Sequence, residues 1–89
     1  MKREDVYKLI DGERNHQDSK WPQNPKLPPS DEIRLVKVIA NLADSEWYTT
    51  QDEIIDGIKV NPADLVAARK IAAVCVRLME NYTTPPRTI

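Results

Sequence analysis

The sequence has one cysteine, two glycines and no phenylalanine, and these shortages exclude several kinds of site. Because Cys75 is alone, no internal disulfide is possible, which is typical of a reducing compartment. Gly12 and Gly57 stand far apart, so the chain has no glycine-rich loop to cradle phosphates. His16 has no second histidine or cysteine at the spacing of a metal site, so we interpret it as a solvent-facing side chain.

The chain also lacks a long apolar run and an excess of either charge. No segment approaches the roughly 20 apolar residues of a membrane span, and the first residues lack a signal peptide's apolar region. Thirteen basic and fourteen acidic residues give a formal net charge of −1, so no overall positive field favours DNA or RNA. We expect one cytoplasmic domain, residues 1–89, that binds neither membranes nor nucleic acids.

The clearest pattern is a helix that begins after Asn61 and ends near Tyr82. Asn61 is suited to cap the first turn, and Pro62 follows where its missing N–H costs nothing. Apolar residues at steps of three and four predict one buried face: Leu65, Ala68, Ala72, Cys75, Met79 and Tyr82. In this stripe, Cys75 is interpreted as a core residue and not as a nucleophile. The basic residues form a cationic flank.

Two earlier helices are predicted, from about Arg3 to Lys20 and from Ser30 to Trp47. A stiff, extended, proline-rich connection, residues 22–29, separates them. The second helix has an apolar stripe too wide for one neighbour: Ile33, Leu35, Val36, Val38, Ile39, Ala40, Leu42, Ala43 and Trp47. We therefore expect a homo-oligomer, a two-fold pair being the simplest closed form.

The first helix changes character along its inward row. Val6 and Ile10 are apolar, whereas Glu13 and Gln17 continue the same row with polar groups. Such a change is typical of an exposed helix end, or of a helix that lines a cleft.

A fourth, short helix is predicted between the second and the last long helix. Thr50 and Glu53 have the form of a capping box, and Gly57 would end the helix. Its isoleucines would cover one end of the core. The expected fold is all-α: a small bundle of three main helices plus one short helix, completed by oligomerisation, with residues 83–89 as a tail that is either frayed or covers a pocket.

The densest cluster of functional side chains is at the end of the first helix. Arg14 and Lys20 are suited to phosphate oxygens, Gln17 to a base edge, and Trp21 to stacking on a base or sugar. Glu13 completes the cluster. The alternative is a solvated helix end with the indole packed on the bundle.

Three segments resemble small MazG-like proteins, which are often encoded by bacteriophages. Residues 13–21, ERNHQDSKW, resemble the ERxxQDxKW opening of that family. Residues 43–47, ADSEW, look like its AxxxW helix end. Residues 69–80 with Pro86 and Arg87 are similar to its RKxAAxxVRxME…PPR close. The matches keep their order over nearly the whole chain.

The resemblance implies an all-α bundle related to NTP pyrophosphatases, which oligomerise and bind nucleotides. In active relatives, acids on two helices hold Mg²⁺ while water attacks the phosphates. This chain lacks the paired acids, since no Glu-x-x-Glu or Glu-x-x-Asp occurs where they are expected. Glu13, Glu32 and Asp64 are the weak metal candidates that remain. The alternative is that Glu32 and Asp64 are ordinary first-turn helix acids.

The leading hypothesis is a nucleotide-binding protein that is catalytically impaired or inactive and sequesters its ligand without a required cofactor. Phosphates would be held by cations, and Trp21 and Gln17 would contact the base or ribose. The cations are Arg14, Lys20, Arg69 and Lys70. One alternative is an Mg-dependent nucleoside triphosphate pyrophosphohydrolase. Another is a small module that binds a host protein through Trp47 or the row of Leu35 and Leu42.

Overall fold

A computed structural model describes residues 1–21 and 26–87 of the chain. The element order is α1 (Arg3–Lys20), α2 (Pro29–Trp47), β1 (Glu53–Ile55), β2 (Ile58–Val60) and α3 (Pro62–Asn81). Three long helices confirm the all-α class. Of the predicted connection, residues 22–25 lie outside the described residues, as do residues 88–89 of the tail.

The helix boundaries follow from local chemistry. The predicted bounds of α1 are confirmed, and α2 begins at Pro29, one residue before the predicted cap Ser30. Proline is favoured there because its fixed φ suits a first helical turn and its missing N–H would be unpaired anyway. Within the described residues, none of the helices has the length and apolarity needed to cross a bilayer.

The third helix is the centre of the molecule. It packs against both α1 and α2, which make few contacts with each other. As a result, α1 and α2 form two walls of a cleft, and α3 forms its floor.

Asn61 joins the end of α2 to the start of α3. Its side-chain oxygen accepts a hydrogen bond from the Ala63 N–H at 3.0 Å, which confirms the predicted cap. Its amide nitrogen lies 3.1–3.2 Å from three acceptors: the carbonyl oxygens of Trp47 and Thr50 and a carboxylate oxygen of Asp52. Asn61 is buried, so one side chain satisfies polar groups from three segments.

The short helix predicted between the second and last long helices is wrong, because this segment is a β-hairpin. Strands β1 and β2 pair antiparallel with Ile55 opposite Ile58. Asp56 and Gly57 both have positive φ, at 52° and 78°, as a two-residue type I′ turn requires. Ile54, Ile55 and Ile58 are exposed and do not cover the core.

The core is small and consists mostly of alanine. Its buried apolar residues are Ala43, Ala63, Ala67, Ala73 and Val74. The buried face predicted for α3 is therefore wrong: Leu65 and Met79 are 58% and 49% exposed, and Cys75 is only half-buried. The small side chains of the opposite face let α1 and α2 approach closely. Of the predicted stripe, Leu65, Ala68 and Met79 are therefore exposed.

We expect Asn61→Ala to lower the free energy of unfolding by about 2–3 kcal/mol, because it removes a helix cap and leaves buried acceptors unpaired. Urea unfolding followed by circular dichroism at one fixed protein concentration would measure the change. Asn41→Ala, at an exposed position of α2, is the control and should change stability by less than about 0.5 kcal/mol. Equal effects of the two substitutions would contradict the role of Asn61.

Candidate functional site

A cavity of about 540 Å³ lies between α1 and α2 above α3. This volume is within the roughly 300–1,000 Å³ of small-molecule sites. Its lining includes residues of all three long helices and two residues between α1 and α2, Trp21 and Leu27. The other lining residues are Glu13, His16, Gln17, Lys20, Leu35, Ile39, Lys70, Val74 and Arg77.

The two walls of the cavity differ in chemistry. The α1 wall is polar, whereas α2 contributes Leu35 and Ile39. Leu27 continues the apolar wall, and its position is held because the Tyr82 hydroxyl donates a hydrogen bond to its carbonyl oxygen at 2.7 Å. A planar ring could pack against the apolar α2 wall while the polar groups of the ring contact the polar α1 wall.

Gln17 is the most buried polar residue of the α1 wall, at 6% exposure. Its amide nitrogen donates to the Lys70 carbonyl oxygen at 3.3 Å, which orients the amide. Within the described part of the chain its oxygen has no hydrogen-bond partner. A buried unpaired acceptor costs about 1–3 kcal/mol. Of the two expectations for the polar row of α1, the cleft lining is confirmed.

Glu32 and Arg77 form a buried ion pair beside the cavity, and Arg77 is part of its lining. Arg77 Nε and Nη2 each donate to one Glu32 carboxylate oxygen at 2.8 Å. The residues are 1% and 3% exposed. The third guanidinium nitrogen, Nη1, makes no hydrogen bond to any residue that the structure describes.

Sequence reasoning missed this pair, although a signal was present. Glu32 lies at helical spacing with Val36, Ile39 and Ala43, on the core side of α2. Arg77 continues the buried row of α3. A charged residue in register with buried positions on each of two helices indicates a pair between them.

Lys20 and Trp21 lie at the exposed opening of the cavity. Trp21 is 60% exposed, and the Lys20 ammonium lies 5.7 Å from its ring centroid. Lys70 reaches the cavity from α3 and is half-buried. The indole face and two ammonium groups are thus available to a ligand that enters.

Arg14 and Arg69 do not line the cavity. Arg69 Nε donates to a Glu13 oxygen at 2.8 Å, and Arg14 Nη2 donates to a Glu80 oxygen at 2.9 Å. Arg14 also pairs with Asp18. The pairs of Arg69 with Glu13 and of Arg14 with Glu80 attach α1 to α3, whereas the pair of Arg14 with Asp18 lies within α1. Of the six predicted ligand-binding residues, four line the cavity and these two do not.

The three metal candidates do not meet. Both oxygens of Glu32 accept hydrogen bonds from Arg77, and Glu13 is paired with Arg69. Asp64 is exposed in the first turn of α3. Among the described residues, no three His, Cys, Asp or Glu side chains are grouped as metal ligands. Mg²⁺ at Glu32 would compete with a doubly bonded guanidinium, so the residues do not fit a magnesium centre.

Comparisons with protein-family models, curated proteins and solved structures give no significant match. The resemblance to MazG-like proteins therefore depends on the sequence motifs. Function has to be argued from the cavity and its side chains.

Removing one member of the buried pair should be costly, whereas removing both should not. We expect Arg77→Met to lower the free energy of unfolding by about 3–5 kcal/mol, since Glu32 would remain buried and unpaired. The double variant Glu32→Leu with Arg77→Met should be within about 2 kcal/mol of the parent, because it leaves no uncompensated charge. Denaturant unfolding of both variants measures the difference. Additive losses in the double variant would contradict a coupled pair.

Proposed function

We propose that this chain binds a nucleotide in the cavity between α1, α2 and α3 and sequesters it, with hydrolysis impaired or lost. One observation carries the proposal: Gln17, Lys20, Trp21 and Lys70 line the same cavity. Gln17 and Lys70 are 53 positions apart in the sequence and are joined by a hydrogen bond. Four of the six residues predicted to bind a nucleotide therefore lie around one cavity.

The lining suits the two parts of a nucleotide. The apolar wall of Leu35 and Ile39 can accept the face of a base, and the Trp21 ring at the opening can pack on the base or the ribose. Lys20 and Lys70 supply positive charge for phosphate oxygens. A nucleotide held in this way needs no metal.

Arg14 and Arg69 have other partners, so they are not part of the proposed phosphate site. Arg14 is paired with Asp18 and Glu80, and Arg69 is paired with Glu13. A phosphate would have to displace those carboxylates to reach either guanidinium. We therefore assign phosphate binding to the two lysines alone.

The arrangement of the acids supports a binder over the alternative pyrophosphohydrolase. Glu13 and Glu32 would both have to leave their arginine partners before they could organise a cation. For Glu32 this means breaking a fully buried pair, which costs several kcal/mol.

We expect the double variant Lys20→Gln with Lys70→Gln to bind nucleotide at least tenfold more weakly, since it loses two charge-assisted contacts of about 1.5 kcal/mol or more each. Calorimetric titration with nucleoside mono-, di- and triphosphates would measure it. Lys37→Gln, on the exposed side of α2, is the matched control and should bind as the parent does.

Two outcomes would contradict this assignment. Equal affinity of the double variant and the Lys37 control would remove the lysines from the phosphate site. Release of pyrophosphate with Mg²⁺ or Mn²⁺, lost in Glu13→Gln, would favour the enzyme alternative.

We also propose that two copies pair through the uncovered stripe of α3. The chain exposes 7128 Å², whereas a folded monomer of 10.2 kDa exposes about 5,300 Å². Leu65 and Met79 lie at the ends of the stripe, and Ala68 and Ala72 between them would let a second helix approach closely.

Ala68→Glu should break such a pair, because it places an unpaired charge between two helices. We expect light scattering after gel filtration to give twice 10.2 kDa for the parent and 10.2 kDa for the variant. Asn41→Glu adds the same charge at an exposed position of α2 and should leave the mass unchanged. A parent that is already monomeric would contradict the proposed pairing.

The exposed apolar residues of α2 favour a second candidate function. Trp47 and Leu42 are 45% and 55% exposed, so a host protein could dock on this face, although Leu35 lines the cavity. In that case no nucleotide would bind, and Trp47→Ala would abolish binding of the partner protein. The variant should have the same mass in light scattering as the parent protein.

A further inference from the structure

We infer that the cavity selects a nucleobase with an oxo group at purine C6 or pyrimidine C4, such as hypoxanthine, guanine or uracil, because Arg77 offers a hydrogen-bond donor in its floor. This inference depends on the proposed nucleotide site and specifies which bases it accepts. Arg77 was not among the residues predicted to bind ligand.

The floor of the cavity is one face of α3. Lys70, Val74 and Arg77 are spaced by four and three residues, so they form a single row about 10 Å long at 1.5 Å per residue. Arg77 is 3% exposed, whereas Lys20 and Trp21 lie at the exposed opening. A nucleotide with its base on the floor would thus place its phosphates near the opening.

The guanidinium of Arg77 is held in place before any ligand arrives. Glu32 accepts from Nε and Nη2, both at 2.8 Å, which fixes the plane of the group. Nη1 makes no such bond within the described residues and still carries two N–H groups. A ligand oxygen bound there would face a donor that needs no reorganisation.

A neutral oxygen suits this position better than a phosphate. The charge of Arg77 is already compensated by Glu32, so a buried phosphate would add uncompensated negative charge. Leu35, Ile39 and Val74 line the same space and cannot solvate it. A base carbonyl gains a charge-assisted hydrogen bond without that penalty.

The donor also discriminates against bases with an amino group at purine C6 or pyrimidine C4, namely adenine and cytosine. A guanidinium nitrogen can only donate, so an exocyclic amino group in the same place would face it donor to donor. Gln17 strengthens the discrimination from the α1 wall, since its unpaired oxygen can accept the ring N–H that lies next to the oxo group in these bases. Adenine and cytosine have an acceptor at that ring position.

Calorimetric titration of the full chain with IMP and AMP, and with UMP and CMP, tests the inference, because each pair differs at one exocyclic group and its neighbouring ring nitrogen. We expect the oxo member of each pair to bind at least tenfold more tightly. In the double variant Glu32→Leu with Arg77→Met, the ratio of oxo to amino affinity should fall to less than about threefold. Circular dichroism would check that this variant is folded. The control variant Lys37→Gln should retain the tenfold preference for the oxo member of each pair.

The outcomes separate this inference from the proposed function. Equal binding of oxo and amino nucleotides, or tighter binding of the amino member, would overturn base selection and leave nucleotide binding intact. A preference retained by the folded double variant would overturn the assignment to Arg77. Failure of the mono-, di- and triphosphates of all four nucleosides to bind would overturn both proposals.

Discussion

The buried pair of Glu32 and Arg77 is the interaction on which the arrangement of α2, α3 and the cavity depends. Moving two charges out of water costs several kcal/mol per ion, and two hydrogen bonds of 2.8 Å offset this only in one geometry. The pair joins the first turn of α2 to the last turns of α3 and so specifies how the helices align. The core beside this pair is mostly alanine, and such small side chains interlock too little to specify the alignment of the helices by themselves.

The attachment of α1 is of a different kind. Its contacts with α3 include the ion pairs of Glu13 with Arg69 and of Arg14 with Glu80, which are partly exposed and contribute about 0–1 kcal/mol each. The apolar start of α1 is largely exposed and adds little packing. The α1 wall therefore moves at lower cost than the α2 wall. A ligand that contacts both Lys20 and Lys70 would draw α1 and α3 together.

The motifs that resemble MazG-like proteins divide into structural and cavity residues. In the opening motif, Arg14 and Asp18 take part in ion pairs, whereas Gln17 and its neighbours at the helix end line the cavity. The adjacent residues Arg69 and Lys70 divide in the same way, because neighbouring positions of a helix point about 100° apart. A motif read as one binding unit thus serves both the fold and the proposed site.

Caps and helical periodicity act over a few residues, so the three long helices, the cap at Asn61 and four residues of the cavity could be predicted from the order of the amino acids. The hairpin was also signalled locally by Asp56 and Gly57, but the capping-box form of Thr50 and Glu53 favoured the wrong interpretation. The buried face of α3 and the pairing of the charges depend instead on how the helices pack. Periodicity identifies an apolar stripe but does not identify the residues that cover it. Glu32 and Arg77 are 45 positions apart in the sequence, so they can pair only when α2 and α3 are packed side by side.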